Sequence, residues 1–182
     1  MKGICFKEPL FHATTEGRKT QTRRIMNPQP QGCFIPVKDG YSVGHYTLHK
    51  PRYKVGETLY LKEPYFVGQS GNVYHRYLLD TSNDIKWKNK LFMPEKYARY
   101  FIEITGVRCE RLQDISDEDC LKEGIAKRKW DVWGLNIGGE HVTNIGKTPQ
   151  LAFEYLIDKI NGKGTWESNP YVWVYDYKLI EK

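Results

Sequence analysis

Apolar residues recur at every second position in three stretches of this chain, and each stretch predicts a strand with a buried face. In Thr58–Glu63, Leu59 and Leu61 face one way. In Tyr171–Leu179, Tyr171, Trp173, Tyr175 and Tyr177 alternate with Val172 and Val174. The clearest strand is Tyr100–Leu112, where Tyr100, Ile102 and Ile104 alternate up to Gly106 and the apolar phase then moves to Val107 and Cys109. A single-residue slip at a glycine is what a β-bulge produces. Bulges bend strands, so this pattern predicts a curved sheet rather than a flat one.

Shorter signals fill in the order of elements. Gly3–Phe6 reads as a short strand and Lys7–Glu16 as about two helical turns, with Leu10, Phe11 and Ala13 near one face and Gly17 as the C-terminal cap. Thr-x-Thr alternation makes Arg18–Ile25 extended, and Asn72–Leu79 reads as a further strand. Asn27–Pro51, with Pro28, Pro30, Pro36 and Pro51 and no sustained period, reads as a loop or loosely structured insertion. Tyr53–Glu57 is a turn, and Leu91–Glu95 starts a helical turn at Pro94. Ser116 caps a short helix with Asp117, Glu118 and Asp119 in its first turn, and Glu123-Gly124 closes it. Thr148-Pro149 opens the longest helix, whose expected buried stripe is Leu151, Ala152, Tyr155, Leu156 and Ile160, and Asn161-Gly162 ends it. Short strands mixed with a few short helices predict a small α+β barrel.

Composition narrows the function classes. The 182 residues suit one domain with a sizeable core, and the net charge of +6 is compatible with a polyanion partner. The 13 Tyr, 5 Trp and 7 Phe serve a β-rich core first, and stacking platforms for bases second. Cys5, Cys33, Cys109 and Cys120 lack CxxC spacing and companion histidines, so neither a zinc site nor a disulfide framework is expected. The N-terminal apolar run breaks too early for a signal peptide, and no stretch reaches the ~20 apolar residues that span a bilayer. The expectation is a reduced, soluble, cytoplasmic protein without a membrane partner. His12, His45, His49, His75 and His141 fall in no elbow or metal motif, and Gly138-Gly139 precedes no phosphate-loop pattern, so no metal and no cofactor are expected.

The remaining chemistry sits in Glu16–Arg24, which packs Arg18, Lys19, Arg23 and Arg24 with Thr20 and Thr22 into nine residues. Such a segment suits phosphate contact, and Lys/Thr-rich strands also protect sheet edges from aggregation. A lysine buried or crowded by cations is a weaker base-holder of its proton, and a hydroxyl beside it becomes a workable acyl-transfer nucleophile. Residues three apart on a regular strand face opposite sides. Lys19 and Thr22 therefore converge only if Lys19 lies in the turn after Gly17 or a bulge intervenes.

Five segments in order resemble the ASCH family, a branch of the PUA-like β-barrels. They are Glu16–Arg24, Tyr53–Glu63, Ile104–Ser116, then Asp119 with Glu123-Gly124-Ile125, and finally Trp166–Val174. The layout is similar to the longer members often carried by phages and prophages. Gln29–Pro51 and Ala126–Lys147 match little and are expected insertions, at about 27–52 and 126–147 of a single domain spanning 1–182.

The resemblance implies an α+β fold, a PUA-like mixed, partly open β-barrel with flanking short helices beside a cleft. It implies binding of RNA or modified nucleosides. Small members hydrolyse the amide of N4-acetylcytidine with a lysine, a threonine and a glutamate, which fall on Lys19, Thr22 and Glu123. In that alternative Thr22 attacks the acetyl carbonyl, Lys19 takes its proton and Glu123 holds the lysine, without a metal. Other members are ribonucleases, a further alternative for the same cleft. Arg18, Thr20, Arg23, Arg24 and Lys62 are expected on phosphate or substrate, joined by Glu63. Tyr65 and Trp173 are expected to stack on a base. The oligomeric state is left open.

Overall fold

The computed structural model of the chain describes residues 1–31, 34–37, 40–43, 47–77, 85–127, 132–135 and 146–180, with the side chains of 34–47 outside the description. In chain order the first half runs β1 (Lys2–Cys5), α1 (Glu8–Thr15), β2 (Gln21–Ile25), β3 (Phe34–Val37), β4 (Gly40–Val43), β5 (Thr47–His49), β6 (Thr58–Lys62), β7 (Tyr65–Val67) and β8 (Val73–His75). The second half runs β9 (Phe101–Arg111), α2 (Asp117–Lys122), β10 (Ile125–Lys127), β11 (Trp133–Leu135), α3 (Pro149–Asn161) and β12 (Tyr171–Ile180).

The strands with the strongest alternation form the centre of the molecule. The main sheet has five strands in the order β1-β6-β9-β12-β2 and is mixed, because β1 runs parallel to β6 while the other neighbours are antiparallel. Ile102 and Ile104 of β9 and Val172 and Val174 of β12 are fully buried. Trp173, Tyr175 and Tyr177, on the opposite face of β12, are buried as well. Burial on both faces explains why β12 reads as nearly continuous aromatic and β-branched residues. The slip expected at Gly106 is present: Asp176 pairs with Gly106 and Tyr177 with Ile104, so Thr105 is skipped. Gly106 also makes room there, since a Cβ on it would lie 2.9 Å from Asp176 Oδ2.

The sheet curls far enough to bring its two edge strands together. Arg24 on β2 donates from Nη2 to the carbonyl of Cys5 on β1 at 2.9 Å, although three strands separate them in the sheet. Among the described residues no closed barrel is formed; the architecture is a curled, mixed five-stranded sheet with smaller sheets beside it.

Several local expectations shift. The stretch read as a loop, Asn27–Pro51, carries the antiparallel three-stranded sheet β3-β4-β5. Its strands are too short to show a period, and Pro36 lies on the edge strand β3, the place in a sheet where a missing N–H does least damage. Strand β8 is shorter than the expected Asn72–Leu79, with residues 78–79 outside the described set. In the other expected insertion, β10 pairs with β11, while 128–131 and 136–145 lie outside the described residues.

Helices α2 and α3 begin where capping chemistry places them. Ser116 Oγ accepts from the Asp119 N–H at 3.1 Å, and Thr148 Oγ1 from the Leu151 N–H at 3.3 Å. The buried stripe of α3 is rotated by about one residue from the expected one. Ala152, Phe153, Leu156 and Ile157 are buried, while Leu151 and Tyr155 are 48% and 44% exposed. The period is unchanged, and contact with α2, β10 and β11 sets the phase. No helix among the described residues is long and apolar enough to cross a membrane.

Candidate functional site

The site grows out of the turn between α1 and β2. Gly17 has φ +73°, a left-handed conformation that lets the helix stop and the chain fold back. Lys19 then lies before β2 rather than in it, which removes the obstacle of strand parity. Its backbone N–H is bonded to the Ala13 carbonyl at 2.8 Å. The Thr20 N–H reaches the Lys122 carbonyl at 2.9 Å, stitching this turn to the end of α2.

Glu123 caps α2, and Gly124 behind it has φ +99°. The turn this permits presents both the carbonyl and the carboxylate of Glu123 to Lys19. The Lys19 ammonium, 1% exposed, donates to the Gln21 carbonyl at 2.6 Å, to the Glu123 carbonyl at 3.0 Å and to Glu123 Oε2. Three acceptors match the three N–H bonds of an ammonium. Burial disfavours that charge and outweighs the pull of Glu123, so the Lys19 pKa falls below its ordinary 10.5, with Arg24 and Arg23 pushing the same way.

Thr22 is two residues further on and also buried. Among the described residues its hydroxyl makes no hydrogen bond. Lys19, Thr22, Arg23, Arg24 and Glu123 line one cavity of about 230 Å³, covered by Phe153, Leu156 and Ile157 of α3. Phe6 completes the wall, with Lys19 Nζ 5.6 Å and Arg24 Cζ 5.5 Å from its ring centre. The volume lies below the ~300–1,000 Å³ of pockets for drug-sized ligands and suits a single base or a short acyl amide.

Behind the cavity a charged lattice fixes Glu123. Arg23 Nη1 lies 3.3 Å from Glu123 Oε1, and Nη2 donates to Glu110 and to Asp119, each at 3.0 Å. Arg108 bonds to Glu110 and Asp119 and, at 2.7 Å, to Asp176. Gln21 joins the parts, accepting from Arg23 and donating to Asp176 at 2.7 Å and Asp119 at 3.2 Å. Burial pushes the Asp119 pKa up, but hydrogen bonds from Lys122 and Arg23 overcome it and hold the carboxyl at about 2. Arg23 is therefore a structural cation here, with Nε left without a partner among the described residues.

A second hollow lies beside the first. It is about 640 Å³ in volume and shares Cys5, Arg24 and Ile25 with the cavity. Lys62 and Trp173 line it together with Arg24, and Trp173 is buried. The remaining predicted residues line neither hollow. Arg18 pairs with Glu16, and Thr20 accepts from the Tyr177 N–H at 2.8 Å. Glu63 is fully buried as the counter-ion of Arg99, at 2.9 and 2.7 Å, with His75 Nδ1 at 3.2 Å. Tyr65 is buried with its hydroxyl 3.4 Å from the Phe92 carbonyl. Both follow Lys62 closely in sequence, but their side chains are taken up by Arg99 and by the Phe92 carbonyl.

Other residues at the site escaped sequence reasoning. Gln21, Arg108, Glu110 and Asp176 come from three strands that only the sheet brings together. Asp119 carried a usable signal, since it stands four residues before Glu123 and so shares its helical face. Two thiols are chemically quiet: burial pushes Cys109 and Cys120 each up to about 12. Among the described residues no group of three or more His, Cys, Asp or Glu is placed to hold a metal ion. Compared with models of protein families, with curated proteins and with solved structures, the chain has no match.

Proposed function

We propose that this chain binds RNA or modified nucleosides in the cavity formed by Lys19, Thr22, Arg24 and Glu123, on a partly open barrel of the PUA-like, ASCH type. The barrel reading is supported by the curl of the five-stranded sheet, whose edges meet through Arg24 and the Cys5 carbonyl at 2.9 Å. The binding reading is carried by one observation: Lys19, Thr22 and Glu123 line the same base-sized cavity, although Glu123 is 104 residues from Lys19.

A second reading has its own support. Thr22 lines the cavity, its hydroxyl without a hydrogen-bond partner among the described residues, and so does Lys19, whose pKa is lowered by burial. On this reading the protein is a metal-independent amidohydrolase of N4-acetylcytidine-like substrates. Thr22 Oγ attacks the acyl carbon and its proton passes to Lys19 in the fraction of molecules whose amine has given up its proton, a fraction that the lowered pKa enlarges. The C–N bond breaks, Lys19 returns the proton to the departing nitrogen, and water cleaves the acyl-threonine ester. Glu123 holds and orients the lysine throughout.

The test is a panel of N4-acylated cytidines and short RNAs, offered to wild type and Lys19→Ala in the presence of EDTA. Binding of nucleosides or RNA by wild type supports the first reading, and release of the acyl group that Lys19→Ala abolishes supports the second. Shortening of RNA with acetylcytidine left intact redirects the site to a ribonuclease. If wild type binds none of these ligands, the proposal fails.

A further inference from the structure

The hollow beside the cavity has an unusual charge. Arg24, Lys50, Arg52 and Lys62 line it, and no carboxylate does. Among the described residues none of these four takes part in an ion pair, whereas Lys2, Lys19, Arg23, Arg99, Arg108 and Lys122 all do. Their hydrogen bonds are to neutral acceptors: Lys62 Nζ donates to the Leu91 carbonyl at 2.8 Å, and Arg24 to that of Cys5. Arg52 lies over the Tyr53 ring with Cζ 5.4 Å from its centre.

The position is as telling as the charge. This hollow lies along the seam where the first and last strands of the sheet approach each other. It is walled by Gly3, Ile4 and Cys5 of β1 and by Arg24 and Ile25 of β2. Gly3 keeps that wall low, because a Cβ there would lie 2.3 Å from Lys62 Cε. Tyr175 anchors the opposite rim by accepting the Arg52 N–H at 3.0 Å. Four like charges in one concavity raise the local potential and draw in an anion, and low-dielectric walls strengthen the effect. The cavity next door is base-sized, and Arg24 belongs to both hollows.

Resting on the reading of the cavity as a base-binding site, we infer that the seam is a phosphate site and that the ligand is a phosphorylated nucleoside residue rather than a free nucleoside. Its base enters the cavity and its phosphate lies against Lys50, Arg52, Lys62 and Arg24. That phosphate comes either from the nucleotide itself or from its neighbour in a single-stranded chain.

The probes are cytidine, cytidine monophosphates carrying the phosphate at the 5′ or the 3′ position, and a fluorescein-labelled oligocytidine of eight nucleotides. Binding is measured by calorimetry or anisotropy at two salt concentrations. The variants are Lys50→Gln/Arg52→Gln and, as a milder second, Arg52→Gln; both side chains are exposed, and melting curves check the fold. The double variant is expected to weaken the oligonucleotide at least ~10-fold and to reduce its log–log salt slope by about 1.4, at ~0.7 per lost phosphate contact. Cytidine binding stays unchanged. Equal weakening of a monophosphate assigns the phosphate to the bound nucleotide, and weakening of the oligonucleotide alone assigns it to the chain neighbour. Unchanged oligonucleotide and monophosphate binding overturns the inference, as does equal weakening of cytidine. If wild type binds the oligonucleotide but not cytidine, and the double variant loses it, the phosphate site stands while the base-cavity reading fails. If wild type binds no probe, both fall.

Discussion

Glu123 holds the Lys19 ammonium twice, through its backbone carbonyl at 3.0 Å and through its carboxylate, in a spot where lysine is 1% exposed. Neutralising the carboxylate leaves a buried charge with two carbonyl acceptors and no counter-ion. Breaking such a buried pair costs about 3–5 kcal/mol. Glu123→Gln and Lys19→Met are each expected to lower stability in urea unfolding followed by tryptophan fluorescence. The double variant should lose less than the sum of the singles. Strict additivity would show that the pair is not coupled.

The lowered Lys19 pKa sets a pH trend with a definite sign. In the unfolded chain the amine titrates near 10.5, and in the folded chain at a lower value because burial opposes the charge. Between the two values the unfolded chain binds more protons, so stability rises with pH across that window. The cost of burying the charge is complete below the folded pKa. Unfolding free energies measured from pH 7 to 10.5 are expected to rise more in wild type than in Lys19→Met. Parallel curves would contradict the lowered value.

Asp119 gives the opposite trend in acid. Its ordinary value is 3.8, and Lys122 and Arg23 hold it at about 2 against burial. The stabilisation it supplies is complete above the ordinary value and is lost as the pH falls toward 2. Asp119→Asn is expected to flatten the acid-unfolding curve between pH 4 and 2. It also removes an acceptor shared by Arg23 and Arg108. An acid limb unchanged from wild type would rule out this origin.

Gly106 connects the bulge in β9 to the charged lattice. A Cβ there meets Asp176 Oδ2 at 2.9 Å, and Asp176 is the acceptor for Arg108 and Gln21. Gly106→Ala is expected to cost about 1–3 kcal/mol, the range for overpacking a tight site. Asp176→Ala added to it should recover part of the loss. A thermal midpoint in Gly106→Ala equal to that of wild type would show that the sheet yields there without strain.

Cys5 lines both hollows and offers a reporter for occupancy. In a Cys33→Ser background, maleimide labelling is expected at Cys5 well before Cys109 and Cys120, whose thiols are held at about 12 by burial. A ligand filling the cavity should slow that labelling several-fold. Equal rates with and without a saturating ligand would place the ligand elsewhere.

Legibility in the sequence followed the range of the interactions involved. Helix starts were readable at Ser116 and Thr148, because capping acts over three residues. The bulge was readable because Gly106 marks a phase change within one strand. The phase of α3 was not: Leu151 and Phe153 are both apolar, and only packing against α2, β10 and β11 determines which is buried. Strands β3 to β5 were hidden by prolines and by lengths of three or four residues.

The sequence by itself determined the α+β class, the central strands, the helix caps and the identity of Lys19 and Thr22 as neighbours along the chain. These depend on period and on short-range hydrogen bonding, both of which are written locally. Only the tertiary structure decided that Glu123 closes on Lys19, that Glu63 and Tyr65 line neither hollow, and that four cations without ion-pair partners among the described residues meet along the seam. Those outcomes depend on how far a twisted sheet curls and which edges it brings together. Curvature accumulates over five strands, and no single segment encodes it.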